Sequence, residues 1–171
     1  FRRVLFRSEV LWPPGSLRVA AQRKRIVVVG GGPAGLEAAL VAAQRGHSVV
    51  LFEAHAQLGG QVRVAALAPH RTEIDGVVSW RSAELKRLGV EVRLGVRADA
   101  DRVLAERPDA VVVATGSQPE RPTVDGADDP RVIDVIRVLD PDPDAAALLQ
   151  RAGRAVVVDN GAGFWETCSA A

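Results

Sequence analysis

The chain has 171 residues, enough for one domain with a sizeable core, and its 47% hydrophobic and 25% charged content fits a soluble globular protein. No apolar run is long enough to span a bilayer, so no membrane partner is expected. One cysteine, Cys168, excludes an internal disulfide and any metal cluster made by cysteines of this chain, and His47, His55 and His70 lack ligand-like spacing and read as surface or turn residues.

The first eight residues, FRRVLFRS, read as one frame of a sequencing-library adaptor rather than as native chain. Without their three arginines the net charge moves from +1 to −2, and the case for a nucleic-acid-binding arm goes with them. The sequence contains no methionine and stops a few residues into a new unit, so the expectation is a piece of a longer protein. Residues 9–23, with Pro13, Pro14 and Gly15, read as an extended linker.

From residue 24 strands and helices alternate. Arg25 to Val29 is a β-branched run of the kind a buried parallel strand shows. After a glycine loop, Leu36, Ala39, Leu40 and Ala43 fall on one helical face, and Gly46 is placed to end that helix. SVVLFE, ending at Glu53, is the next strand and completes a βαβ unit. AHAQLGGQVRVAALAPH is expected to be a loop. Thr72 with Asp75 predicts a capping-box-like helix start, with Ile74, Val77, Val78, Leu85 and Leu88 on one face and Gly89 as the stop. VEVRLGV predicts a strand, DADRVLAER a short helix and DAVVVATG a further buried strand. Residues 117–143 read as a connector, DAAALLQRAG as a short helix and Ala155 to Val158 as a last strand. The alternation predicts an α/β fold with a parallel, doubly wound sheet. Its domains are an incomplete dinucleotide-binding domain over 24–143 and the start of a second nucleotide-binding unit over 144–171.

Gly30, Gly32 and Gly35 form a G-x-G-x-x-G loop between strand and helix, with an acid, Glu53, 18 residues past Gly35. Gly30 permits the tight turn, Gly32 lets backbone approach a pyrophosphate, and Gly35 lets the helix pack near the sheet. The phosphates then meet the positive end of the helix. Glu53 would accept hydrogen bonds from both ribose hydroxyls of an adenosine half, and would disfavour a 2′-phosphate.

Gly30, Gly31, Gly32, Pro33, Ala34 and Gly35, then Glu53, then Gly59, Gly60 and Gln61, then Ala114, Thr115 and Gly116 together resemble the first, FAD-binding domain of two-dinucleotide flavoproteins of the disulfide-reductase-like superfamily. The resemblance implies a Rossmann-like fold in which Glu53 holds the adenosine ribose. It places Gly60 and Gln61 close to FAD, and Thr115 and Gly116 beside the pyrophosphate. More narrowly, the stretches from Lys24 to Arg71, LGVEVRLGV and PDAVVVATGSQPERP resemble multidomain NADH:flavin oxidoreductases related to old yellow enzyme. That group includes 2,4-dienoyl-CoA reductase and trimethylamine and histamine dehydrogenases.

In that group an FMN-bearing barrel and an iron–sulfur cluster precede this region. The resemblance therefore implies FAD or ADP bound here, and NAD(P)H, FMN and an iron–sulfur cluster in the full-length parent, with the barrel as partner; a cytoplasmic location is a separate expectation. In the reductase branch the domain relays electrons between NAD(P)H and the cluster and barrel. In the amine-dehydrogenase branch it is a non-redox ADP-binding module. No cysteine follows the Gly59-Gly60 pair, which excludes dithiol chemistry in this domain, but a thioredoxin-reductase-like parent stays open. No side chain reads as an acid–base catalyst, and His70 and Glu73 read as surface loop and helix start. The isolated chain is expected to be inactive and to retain FAD weakly. The late loop DNGAGFWETCSAA departs from the fingerprint, with Phe164 where helix–sheet packing wants glycine, and Cys168 reads as a packing residue.

Overall fold

The computed structural model describes residues 17–118 and 123–158. Four strands form one parallel sheet: β1 (Arg25–Val29), β2 (Ser48–Phe52), β3 (Glu91–Arg93) and β4 (Ala110–Val113). Their order is β3-β2-β1-β4. The chain steps outward from β1 to β3, then returns to the far side of β1 for β4. Strand order therefore reverses between β1 and β4, which opens a crevice beyond the carboxyl ends of the strands.

Helices cover both faces. On one, Ile26, Val28, Val49 and Leu51 pack beneath Leu36, Ala39 and Leu40 of α1 (Pro33–Gln44) and Val78 and Leu85 of α3 (Gly76–Arg87); between these helices lies the short α2 (Gln61–Ala65). On the other, Val27, Val50 and Phe52 are packed by Val96, Ala98 and Val103, the last on α4 (Ala100–Ala105). The fold is thus α/β and doubly wound, as the alternation of elements implies. β4 departs from the buried strand that DAVVVATG predicts: cover over it is thinner, and Val111 and Val113 are exposed among the described residues. Two further helices follow, α5 (Val135–Leu139) and α6 (Pro143–Arg151).

Gly46 and Gly89 terminate α1 and α3 in the same way. Both take positive φ, +89° and +71°. The Gly46 and His47 N–H groups donate to Ala43 and Ala42 oxygens, and those of Gly89 and Val90 to Lys86 and Leu85. This double closure satisfies the last carbonyls of each helix with a left-handed residue that costs glycine little. Asp99 caps α4 by accepting from the Arg102 N–H at 2.9 Å. Asp99→Ala is expected to lower stability by about 1 kcal/mol, read as a shift in the urea midpoint; an unshifted midpoint would show that the cap contributes nothing.

Five local expectations are corrected. Thr72 does not cap a helix: it already lies within a 3-10 turn (Thr72–Asp75) that leads into α3, and no side chain caps either element. A hydroxyl caps only from an extended residue outside the helix. The glycine-pair loop holds α2, and the connector holds α5, whose five residues are too few to show a period. β3 is only three residues long. Ala155–Val158 forms no strand and is exposed, because no described strand lies beside it to pair with. The short helix expected from DAAALLQRAG is present as α6, while the atypical loop and Cys168 lie outside the described residues, as do residues 1–8 and part of the 9–23 linker.

Candidate functional site

The crevice at the switch point is built by backbone pressed against backbone. Gly30 leaves β1 at φ +108°, and a Cβ there would lie 2.2 Å from Ala114 O. A Cβ on Gly35 would lie 1.8 Å from Gly30 O. The glycine turn is therefore sandwiched between the first turn of α1 and the end of β4. Ala114 donates to Val29 O at 2.8 Å and fixes that end. Gly32, the N-cap of α1, is different: it forms no side-chain cap, and a Cβ on it would meet nothing within 4 Å. Its space is open, and the first N–H groups of α1 face it without a protein side chain to satisfy them.

The glycine pair folds over this turn. Gly59 donates to Gly31 O at 2.8 Å, and a Cβ on Gly60 would lie 3.2 Å from Gly32 Cα. Both glycines have positive φ. Gln61 reaches across the crevice and donates through Nε2 to Ser117 O at 2.8 Å, so the glycine-pair loop and the loop after β4 are tied together. Thr115 and Gly116 are exposed at the rim, Gly116 with φ +76° and open space at its Cβ position.

Glu53 follows β2 and is the one charged residue buried among the described residues, 5% exposed. Its backbone is fixed by Glu53 N to Arg93 O and Val96 N to Glu53 O. Its Oε2 accepts from the Gly31 N–H at 2.6 Å, and its Oε1 from the His55 N–H at 2.7 Å and from His55 Nδ1 at 2.8 Å. Burial pushes the carboxyl pKa up, but the N–H groups of His55 and Gly31 and the His55 imidazole outweigh it, and the net shift is down. The group stays ionised although the residue is only 5% exposed.

The structure thus brings Gly30, Gly31, Gly32, Pro33, Ala34, Gly35, Glu53, Gly59, Gly60, Gln61 and Ala114 into one crevice, with Thr115 and Gly116 at its edge. Sequence reasoning passed over three participants: His55, Ser117 and Leu58, the last 2.6 Å from where a Gly31 Cβ would stand. Only His55, two residues past the acid, carried a usable signal. His70 and Glu73 are exposed, and neither side chain joins the cluster. Among the described residues no group of His, Cys, Asp and Glu could hold a metal, and no helix is long and apolar enough to cross a membrane. The residues fit a dinucleotide: the open space at Gly32, an uncapped helix N-terminus and a buried, ionised acid suit pyrophosphate and ribose in turn.

A parallel sheet that opens at its switch point between a helix N-terminus and a buried acid is the arrangement of Rossmann-type dinucleotide-binding domains. The model of the pyridine nucleotide-disulphide oxidoreductase family matches residues 24–165, and the chain belongs to that family. Relatives include an NADH oxidase of Thermoanaerobacter brockii, 49% identical over 112 residues, a match covering 66% of this chain and 17% of that protein. A multifunctional alkene reductase/demethylase OYE of Caballeronia cordobensis is 45% identical over 109 residues, covering 64% and 16%. Among solved structures, the 6-hydroxypseudooxynicotine amine oxidase of Pseudomonas geniculata N1 matches with a TM-score of 0.72 at 32% identity, over 78% of this chain and 22% of that one. The chain spans less than a quarter of the length of each of these proteins. The resemblance to multidomain flavin oxidoreductases is borne out, and the domain is of an oxidoreductase family.

Proposed function

We propose that this chain is the dinucleotide-binding part of a multidomain oxidoreductase in which FAD, bound in the crevice, passes electrons between NAD(P)H and an iron–sulfur cluster and FMN-bearing barrel. The observation that carries the reading is Glu53, buried, ionised and hydrogen-bonded to Gly31 beside the uncapped N-terminus of α1. Here the protein's own residues bind and orient. Gly32 admits the pyrophosphate, the first turn of α1 supplies N–H donors, and Glu53 receives ribose hydroxyls. The tie from Gln61 to Ser117 holds the far rim. Redox chemistry belongs to the bound flavin.

A second reading is ADP bound without flavin, as a non-redox module. It is favoured by the geometry itself, since the glycine turn and Glu53 address only the adenosine diphosphate half. A thioredoxin-reductase-like parent is disfavoured by the match to the amine oxidase and to the alkene reductase. The test is made on the full-length protein. Nucleotides released by denaturation are expected to include one FAD per chain, and anaerobic NADH or NADPH to bleach it. Release of ADP without FAD supports the second reading, and release of neither overturns both.

A further inference from the structure

A carboxylate offers about four acceptor positions. Glu53 has three donors on it already: the Gly31 N–H, the His55 N–H and His55 Nδ1. One position is left, yet an adenosine ribose brings two hydroxyls. The two backbone donors cannot leave. Gly31 lies in the glycine turn under Leu58, and the His55 backbone is pinned by Gly95 N to His55 O at 2.8 Å. The imidazole is different. Its side chain is 76% exposed, whereas that of Glu53 is 7% exposed, so rotation about χ1 carries it into solvent without disturbing the core. Because Glu53 is ionised and can only accept, Nδ1 carries the proton.

We propose that the His55 imidazole is a placeholder for a ribose hydroxyl. It fills a third acceptor position on Glu53, one that a ribose hydroxyl would take, and it swings out when the adenosine half binds. His55 is thus a positioning residue that keeps a buried carboxylate satisfied and takes part of the nucleotide's affinity as the cost of displacement. The inference rests on the dinucleotide reading of the crevice.

The test uses the intact protein stripped of nucleotide, titrated calorimetrically with ADP, 2′-deoxy-ADP and 3′-deoxy-ADP. His55→Ala removes the competing donor and leaves the backbone N–H, so ADP is expected to bind about five-fold more tightly than to wild type. That gain is expected to vanish with the deoxynucleotide that lacks the hydroxyl replacing the imidazole. His55→Asn, whose Nδ2 stands where Nδ1 stood, is expected to restore wild-type affinity for ADP. Equal or weaker ADP binding by His55→Ala, or a gain kept with both deoxynucleotides, overturns the placeholder while leaving the site intact. Failure of wild type and variants alike to bind any of the three overturns the reading of the crevice and the placeholder together.

Discussion

Gly35→Ala is expected to cost about 3 kcal/mol, the upper end of what added core volume does, and a large part of the roughly 5–15 kcal/mol that holds a domain together. The added Cβ would lie 1.8 Å from Gly30 O and 3.0 Å from its carbon. Neither neighbour is a flexible side-chain tip. Gly30 is held from the β2 side by its N–H on Phe52 O at 2.8 Å, and from the β4 side by Ala114 O. Relief therefore requires moving α1 off the sheet, and α1 carries Leu36, Ala39 and Leu40 into the core. Gly32→Ala is the control. Its Cβ meets nothing within 4 Å and its φ of −73° suits any residue, so stability should change by less than about 0.5 kcal/mol. Urea midpoints of the two variants measure the difference, and a Gly35→Ala midpoint close to that of Gly32→Ala would refute the packing account.

The second large effect is expected at Glu53. Glu53→Gln keeps the shape but turns one acceptor oxygen into a donor. Gly31 N–H and His55 N–H approach different oxygens, so one of them must then face an NH2 group inside the protein. The expected loss is about 2 kcal/mol at neutral pH, within the range for a charge-assisted bond broken in a buried place. Acid dependence follows from the depressed pKa. The unfolded carboxyl titrates near 4.5 and the folded one lower, so the unfolded state binds more protons between the two. This contribution is complete above the unfolded value and lost as pH falls through the folded value. Glu53→Gln should therefore differ from wild type most at neutral pH and converge on it in acid. A gap in unfolding free energy that stays constant from pH 7 down to acid would argue against an ionised Glu53. The same variant should weaken ADP binding more than ten-fold if the crevice binds a ribose.

Much of this architecture was legible beforehand, element by element. β1 has the bounds the β-branched run predicts, and β2 ends one residue short of the expected Glu53. α1 buries Leu36, Ala39 and Leu40 as their spacing requires, and Gly46 and Gly89 end the helices they were assigned to end. These features are local: periodicity, a left-handed residue and a strand core depend on near neighbours. α2 and α5 were missed because helices of five residues owe their existence to contacts rather than to pattern. Thr72 misled because a sequence spacing does not say which residue stays extended at the helix start. Ala155–Val158 has a strand's composition, but a strand needs a partner, and that is not a local property.

For the site, the sequence by itself determined the chemical inventory: three spaced glycines, an acid after the second strand, a glycine pair and a small-residue turn after the fourth. Each follows from chain-local demands on turns and helix starts. Only the tertiary structure decided how these parts are used. It put Ala114 O against Gly30, 84 residues earlier, and left the space at Gly32 open. It also filled three acceptor positions on Glu53, one of them with an exposed histidine that composition had placed among surface residues. The physical reason is burial: a carboxylate taken out of water must find its donors in the fold, and which donors those are depends on where β1, β2 and the loop after β2 meet.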